Sequence, residues 1–402
     1  MHLLELPAEI REEIYRPILD PSNYRETNDD DYTTYNYRPA LSSLLRINRQ
    51  IYHEARRIFL NQNTFICIET PWDQAQEHVK LEGHVPILAS REQADNFKDH
   101  SLVVTIRAPD FAPMEHALHK FIIHVDDLHK FTESWRYSDM DNPHLNRHLS
   151  LSLCLRDPID RAPYSDPSLP KALQSRLLLP FGIVKDLHSL QVHGSPQPYT
   201  SLVTQLKTLQ AAPHASPESC LAETTRLKDL GNADLKNGAY ASALTHYRAA
   251  WRAMHIVVSG RQRHVHAEGM FNGTLTAAPF AGQNGQTVRL ALRVKLVANT
   301  VLVYLKLGDW DTARFWGTRT IDTMRTAMGL GENGGAERAE DEAILGFVAA
   351  AEMGKIYYRT ALAWKELGDK GEARRLLRVA SVYLPQDQSV QREIAACALR
   401  LG

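Results

Sequence analysis

Leu227 to Ala250 reads LKDLGNADLKNGAYASALTHYRAA, Leu296 to Ile321 reads LVANTVLVYLKLGDWDTARFWGTRTI, and Gly354 to Pro385 reads GKIYYRTALAWKELGDKGEARRLLRVASVYLP. The three stretches share one frame, in which a Gly is followed shortly by a small residue: Gly238 and Ala243, Gly308 and Ala313, Gly368 and Ala373. A Gly at that point closes one helix in a conformation other side chains resist, and the Ala beyond it lets the next helix approach the first closely. The repetition predicts an α-solenoid over residues 222–402, with three helix pairs and a polar-faced capping helix from Ser389 to Leu399. The intervals between these glycines exceed the roughly 34 residues that one bare unit takes. The surplus falls in two Gly-rich insertions, SGRQRHVHAEGMFNGTLTAAPFAGQNGQ and GLGENGGAERAE.

Upstream, residues 195–221 carry Pro196 and Pro198 in GSPQPYT, then a helical patch, then Pro213 and Pro217 in AAPHASPESC, which together read as a linker. Before it, residues 66–194 change period. SLVVTIRA, KFIIHV, LSLSLCLR and LHSLQVHG are short, alternating or β-branched, and bounded by Asp, Pro or Gly, so they predict strands of a small α/β region. Segments such as DDLHKFTESW and PKALQSRLLLPFGIVKDL supply helices between them. Residues 1–65 read as helical. LLELPAEIREEIYRPIL sets Leu3, Leu6, Ile10, Ile14 and Ile18 at helical spacing, and ALSSLLRINRQIYHEARRIFL repeats the device with Leu41, Leu44, Leu45, Ile51, Ala55 and Ile58. The acidic, Tyr-rich segment between them, residues 20–38, predicts a mobile loop.

The chain has 402 residues with 46 Lys+Arg against 47 Asp+Glu, a formal net charge of −1, so no overall electrostatic attraction to nucleic acid or anionic membrane is expected. A hydrophobic share of 44% and a charged share of 23% are those of a globular protein. No apolar run reaches the ~18 residues of a membrane helix. The N-terminus has no basic segment ahead of an apolar one, so no secretory signal is expected. The four cysteines are too widely spaced for a CxxC metal site and too few for a disulfide framework, which points to a reducing cytoplasmic or nuclear location.

The helix-pair frame resembles the tetratricopeptide repeat. Its units are marked by Gly231, Gly238, Tyr240, Ala243, Tyr247 and Ala250, then Leu305, Gly308, Trp310 and Ala313, then Ala361, Leu367, Gly368, Ala373, Ala380 and Pro385. A second set of matches is similar to the carboxylate-clamp repeats of co-chaperones, which hold the C-terminal Glu-Glu-Val-Asp tails of heat-shock chaperones. Those repeats carry Lys and Asn in an LKxxGN element, an Asn on the first helix of the second unit, and Lys-x-x-x-Arg on the first helix of the third. Here the matching residues are Lys228 and Asn232, Asn299, and Lys355 and Arg359. The resemblance implies a peptide-binding site made of these five. Each Lys-containing pair lies four apart and so shares a helix face. Two ammoniums and a guanidinium, with two amides to fix orientation, can hold a terminal carboxylate and an acidic side chain.

LLELPAEIREEIY at Leu3 to Tyr15 and LLRINRQIYHEARRIFLNQNTF at Leu44 to Phe65 resemble the F-box-like domain found in many fungal proteins. In true F-boxes that first helix packs on the linker subunit of a cullin ubiquitin ligase. The resemblance implies Leu6, Pro7, Ile10 and Ile14 as the contacting residues; the alternative is that this face packs on the second helix and the α/β region.

Other signals carry less. Gly329-Leu-Gly331-Glu-Asn-Gly334 satisfies GxGxxG but closes a helix, whereas a nucleotide loop opens one. His116, His119, His124 and His129 straddle a strand and cannot face one metal, His264 and His266 fall in a Gly-rich insertion, and the adjacent Asp126 and Asp127 point to opposite sides. No GxSxG, HExxH or P-loop is present. The expected protein is therefore a non-enzymatic adaptor without cofactor or metal, mainly α with an α/β middle. It would bind an acidic C-terminal peptide such as a chaperone tail, or alternatively recruit targets to a cullin ligase.

Overall fold

The computed structural model describes residues 3–28, 31–37, 44–111, 118–159, 168–330 and 339–397. Leu41, His116 and the GxGxxG match from Gly331 to Gly334 lie outside them, as does most of the insertion GLGENGGAERAE. The chain is mainly helical with one six-stranded mixed sheet, and it divides into two compact units, Met1–His214 and Ala215–Gly402.

The first unit runs α1 (Ala8–Ile18), β1 (Arg25–Asn28), β2 (Asp31–Tyr37), α2 (Arg49–Gln62), β3 (Phe65–Thr70), α3 (Ala75–Leu81), β4 (Ala89–Ser90), α4 (Glu92–Asn96) and β5 (Leu102–Arg107). It continues with β6 (His119–His124), α5 (Leu128–Asp141), β7 (Ser150–Arg156), α6 (Lys171–Leu178), β8 (Ser189–Ser195) and α7 (Thr200–Ala211). The sheet order is β4-β6-β3-β5-β7-β8, with β3/β5 and β7/β8 parallel and the other neighbours antiparallel. Both faces are covered. Phe65, Cys67 and Ile122 pack with Tyr15 of α1 and Ile51, Ala55 and Ile58 of α2, while Ile66, Ile68, Val104 and Leu153 pack with Phe131 of α5, Leu177 of α6 and Leu206 of α7. Alternation along β3 sends successive side chains to opposite layers, so the strand reads as the unbroken apolar run FICI.

Four expectations change here. The boundary at residue 65 does not separate two cores, because α1 and α2 form one layer of the sheet's own packing. The helical patch expected within the linker stretch, Thr200–Ala211, buries Leu202 and Leu206 in the sheet's other layer, so this part of the stretch belongs to the first unit's core. The segment expected as a mobile loop contains the antiparallel hairpin β1/β2, anchored by an Arg25–Asp126 ion pair of 2.5 Å and a hydrogen bond from the Tyr35 hydroxyl to Asp127. Asp126 and Asp127 are thus tied into anchoring contacts with that hairpin.

The fourth change concerns α1. Of the two readings left open for its stripe, packing on the second helix and the α/β region does not hold for most of it: Ile10 is 47% exposed, Ile14 38% and Ile18 41%. Its inward face is Arg11 and Tyr15. Arg11 forms a bidentate pair with Glu54 of α2, Nε to Oε2 at 2.9 Å and Nη2 to Oε1 at 2.5 Å, and the Tyr15 hydroxyl donates to the same carboxylate. A fork-shaped guanidinium matched to a carboxylate satisfies a charge that a helix interface otherwise excludes. α2 itself starts where Asn48 caps the Ile51 amide at 2.9 Å.

The second unit contains three helix pairs and a final helix. These are α8 (Pro217–Lys236) with α9 (Tyr240–Ala253), α10 (Gly285–Leu307) with α11 (Trp310–Ala327), α12 (Ala350–Glu366) with α13 (Lys370–Tyr383), and α14 (Gln388–Cys397) against α13. Gly238, Gly308 and Gly368 turn each pair with φ of 76°, 74° and 93°, the left-handed region that glycine enters without a Cβ penalty. Gly354 on α12 leaves no room for a Cβ, which would stand 2.6 Å from that of Tyr383 on α13. The first Gly-rich insertion is structured: it supplies the turn and second strand of a hairpin of β9 (Ile256–Ser259) and β10 (Gln262–Val265), and it buries Phe271 and Leu275. Arg289, 1% exposed, fastens that insertion to α10 by donating to the carbonyls of Met254 (2.8 Å) and His266 (2.7 Å) while lying over the Phe271 ring.

Candidate functional site

All five residues of the expected peptide site lie on the first helices of the three pairs: Lys228 and Asn232 on α8, Asn299 on α10, Lys355 and Arg359 on α12. Three of them meet through hydrogen bonds. Asn299 Nδ2 donates to Asn232 Oδ1 at 2.6 Å, and the Tyr247 hydroxyl of α9 donates to the same oxygen at 2.9 Å. Arg359 donates through Nη1 to the carbonyl of Ala298, the residue before Asn299. The result is a polar seam, half-buried, that ties α8, α9, α10 and α12 together.

The two lysines stand one turn before Asn232 and Arg359 on their own helices, which is the four-residue spacing that keeps them on the same face as the seam. Lys228, its side chain 15% exposed, pairs with its chain neighbour Asp229 at 2.5 Å. Asp229 is 60% exposed and also receives a long contact from Asn232 Nδ2 at 3.4 Å. Lys355 is half-buried and has no hydrogen-bond or ion-pair partner among the described residues.

Burial pushes the Arg359 guanidinium down to about 10, an effect that the nearby Tyr247 and Tyr358 phenols oppose. It therefore stays charged at neutral pH. Burial likewise pushes the Tyr247 phenol up to about 12, so it keeps its proton and acts as a donor. The seam is thus a cation, a fixed phenol donor and two oriented amides, with a second and a third cation one turn away. Such a set can bind a carboxylate.

The sequence reading treated Tyr247 only as a frame residue. Its hydroxyl is the signal for the larger role, since a Phe would fill the same space and leave Asn232 with one donor fewer. Asp229, the acid beside Lys228, falls on an unspecified position of the LKxxGN element, so the pattern gives no sign of it. In the first unit, Leu6 is half-buried and Pro7 exposed at the start of α1, while Ile10 and Ile14 are exposed along with Leu4 and Ile18. Among the described residues there is no cluster of three His, Cys, Asp or Glu able to hold a metal, and no helix is long and apolar enough to cross a membrane. No family model matches the chain.

Proposed function

We propose that the second unit is a tetratricopeptide-type module that binds the acidic C-terminal peptide of a partner protein, and that the chain acts as a non-enzymatic adaptor of the co-chaperone kind. The observation that carries this is the seam of Asn232, Asn299 and Arg359 on three different first helices, with Lys228 and Lys355 each one turn away. A peptide ending in a free carboxylate beside an Asp brings two anions to three cations. It competes with Asp229 for Lys228 and completes Lys355, and charge-assisted bonds of this kind are about twice as strong as neutral ones. A heat-shock chaperone tail ending in Glu-Glu-Val-Asp has this chemistry. Titrating such a peptide into Lys355→Ala and Arg359→Ala proteins tests the assignment: each substitution weakens binding about tenfold or more, and unchanged affinity in both removes the basis of the reading.

A second reading, compatible with the first, is favoured by a separate observation. The outward ridge of Leu4, Ile10, Ile14 and Ile18 on one side of the N-terminal segment suits a helix that docks on another protein. In an F-box-like role that partner is the linker subunit of a cullin ligase, and the second unit then recruits the target. Co-purification with that subunit, lost in the Leu6→Ala, Pro7→Ala double variant, supports this role; absence of any association leaves the ridge without it.

A further inference from the structure

The β9–β10 hairpin, α9, α10 and α11 enclose a cleft of about 340 Å³, within the range of small-molecule sites. Arg263 of β10 lines it. The guanidinium carbon lies 4.5 Å from the ring centre of Trp251 and 4.7 Å from that of Trp316, so the cation is held between two buried indoles. Aromatic faces attract the charge but accept none of its N–H donors in the way an oxygen does. Arg263 Nε is buried, and the side chain has no hydrogen-bond or ion-pair partner among the described residues. Burial pushes this guanidinium down to about 9, and the neighbouring charges that add to the effect, Arg319 and Arg293, are positive too.

A desolvated cation with no acid near it is an unfavourable arrangement for packing alone. Two further donors border the same space. Thr300 Oγ1 on α10 is buried without a partner among the described residues, and the exposed Arg248 on α9 adds a second cation to the lining. We propose that this cleft is a binding site for an oxyanion, the carboxylate or phosphate of a small molecule with a compact apolar stem. The guanidinium supplies paired donors to the anion, Thr300 supplies a third, and the indoles with Tyr304 pack the stem.

The test is calorimetric titration of the full-length protein with phenyl phosphate, benzoate, inorganic phosphate and neutral benzamide. No peptide is present, so the outcome is independent of the peptide-binding reading. At least one of the two aromatic anions binds saturably below about 1 mM, benzamide does not, and raised salt weakens the binding. Phenyl phosphate binding more tightly than benzoate marks the natural ligand as a phosphate, and the reverse order marks it as a carboxylate. Arg263→Gln lowers affinity about tenfold or more; should that variant fail to fold, Thr300→Val and Arg248→Ala each lower it several-fold. Lys355→Ala leaves it unchanged. Failure of both aromatic anions to saturate by about 5 mM, or affinity unaltered in the Thr300→Val and Arg248→Ala proteins, overturns the proposal.

Discussion

Asn232 and Lys355 bear on the same proposed site in different ways, and the difference is measurable. Asn232 Oδ1 accepts from two partners, so Asn232→Ala orphans the Tyr247 hydroxyl and the Asn299 amide together. It is expected to destabilise the second unit by about 1–3 kcal/mol as well as to weaken peptide binding. Lys355 has no partner among the described residues, so Lys355→Ala is expected to leave thermal stability within about 0.5 kcal/mol while weakening peptide binding. Denaturant melts set beside titrations separate the two effects. Glu342 gives a pH prediction. Burial alone would raise its carboxyl, but hydrogen bonds from Arg325 and Tyr357 and the charge of Arg375 outweigh burial and hold it below its ordinary 4.5. A depressed folded-state value means the unfolded chain binds the proton first. The stabilisation is therefore complete above about pH 5.5 and drains away as pH falls through the folded value. Glu342→Gln is expected to cost about 2–4 kcal/mol at neutral pH and to make the acid limb of the stability curve shallower; an acid limb parallel to that of the unsubstituted protein would show that the carboxylate is not responsible.

Among the elements, α1 carries the sharpest contrast between pattern and packing. Its isoleucines follow helical spacing, yet Arg11 and Tyr15 face inward because Glu54 on α2 accepts from both. Hydrophobic spacing alone leaves open which way the stripe faces, since a paired Arg can be buried and no periodicity rule anticipates its acceptor 43 residues away. Tyr15→Ala is accordingly expected to cost about 3–5 kcal/mol, and Ile10→Gln less than about 1 kcal/mol; urea unfolding that ranks them in the opposite order contradicts the described orientation. Elements set by local signals were legible. The four expected strands correspond to β5, β6, β7 and β8, and the repeated Gly-turn frame corresponds to three helix pairs. Elements set by tertiary contact were not. β3 is one of the two central strands of the sheet, but it begins only two residues after α2 ends, with no Gly or Pro between to mark its start. The β9–β10 hairpin hides in a Gly-rich insertion and depends on Arg289 reaching the carbonyls of Met254 and His266. Among the site residues, the five polar matches were legible from spacing, while Tyr247 as their shared donor required the packing of α9 against α8.

At the scale of the molecule, two units with separate hydrophobic cores make the chain's properties separable. Thermal unfolding is expected to resolve into two transitions, one shifted by Tyr15→Ala and the other by Glu342→Gln. A single transition moved equally by both variants contradicts that independence. The near-zero net charge also acquires a meaning. The cations proposed to matter, Lys228, Lys355 and Arg359, are grouped on two helices, α8 and α12, while other charges are held in pairs such as Arg11–Glu54 and Arg325–Glu342. Neutrality overall is therefore compatible with a locally cationic peptide site. The most direct test of that site is a calorimetric comparison of two peptides ending in Glu-Glu-Val-Asp, one with a free C-terminal carboxylate and one amidated. The free acid is predicted to bind with micromolar affinity, on the order of −8 kcal/mol, and the amide at least about tenfold more weakly because it loses one of the two anions. Equal binding of the two peptides, or no binding of either, would contradict the account.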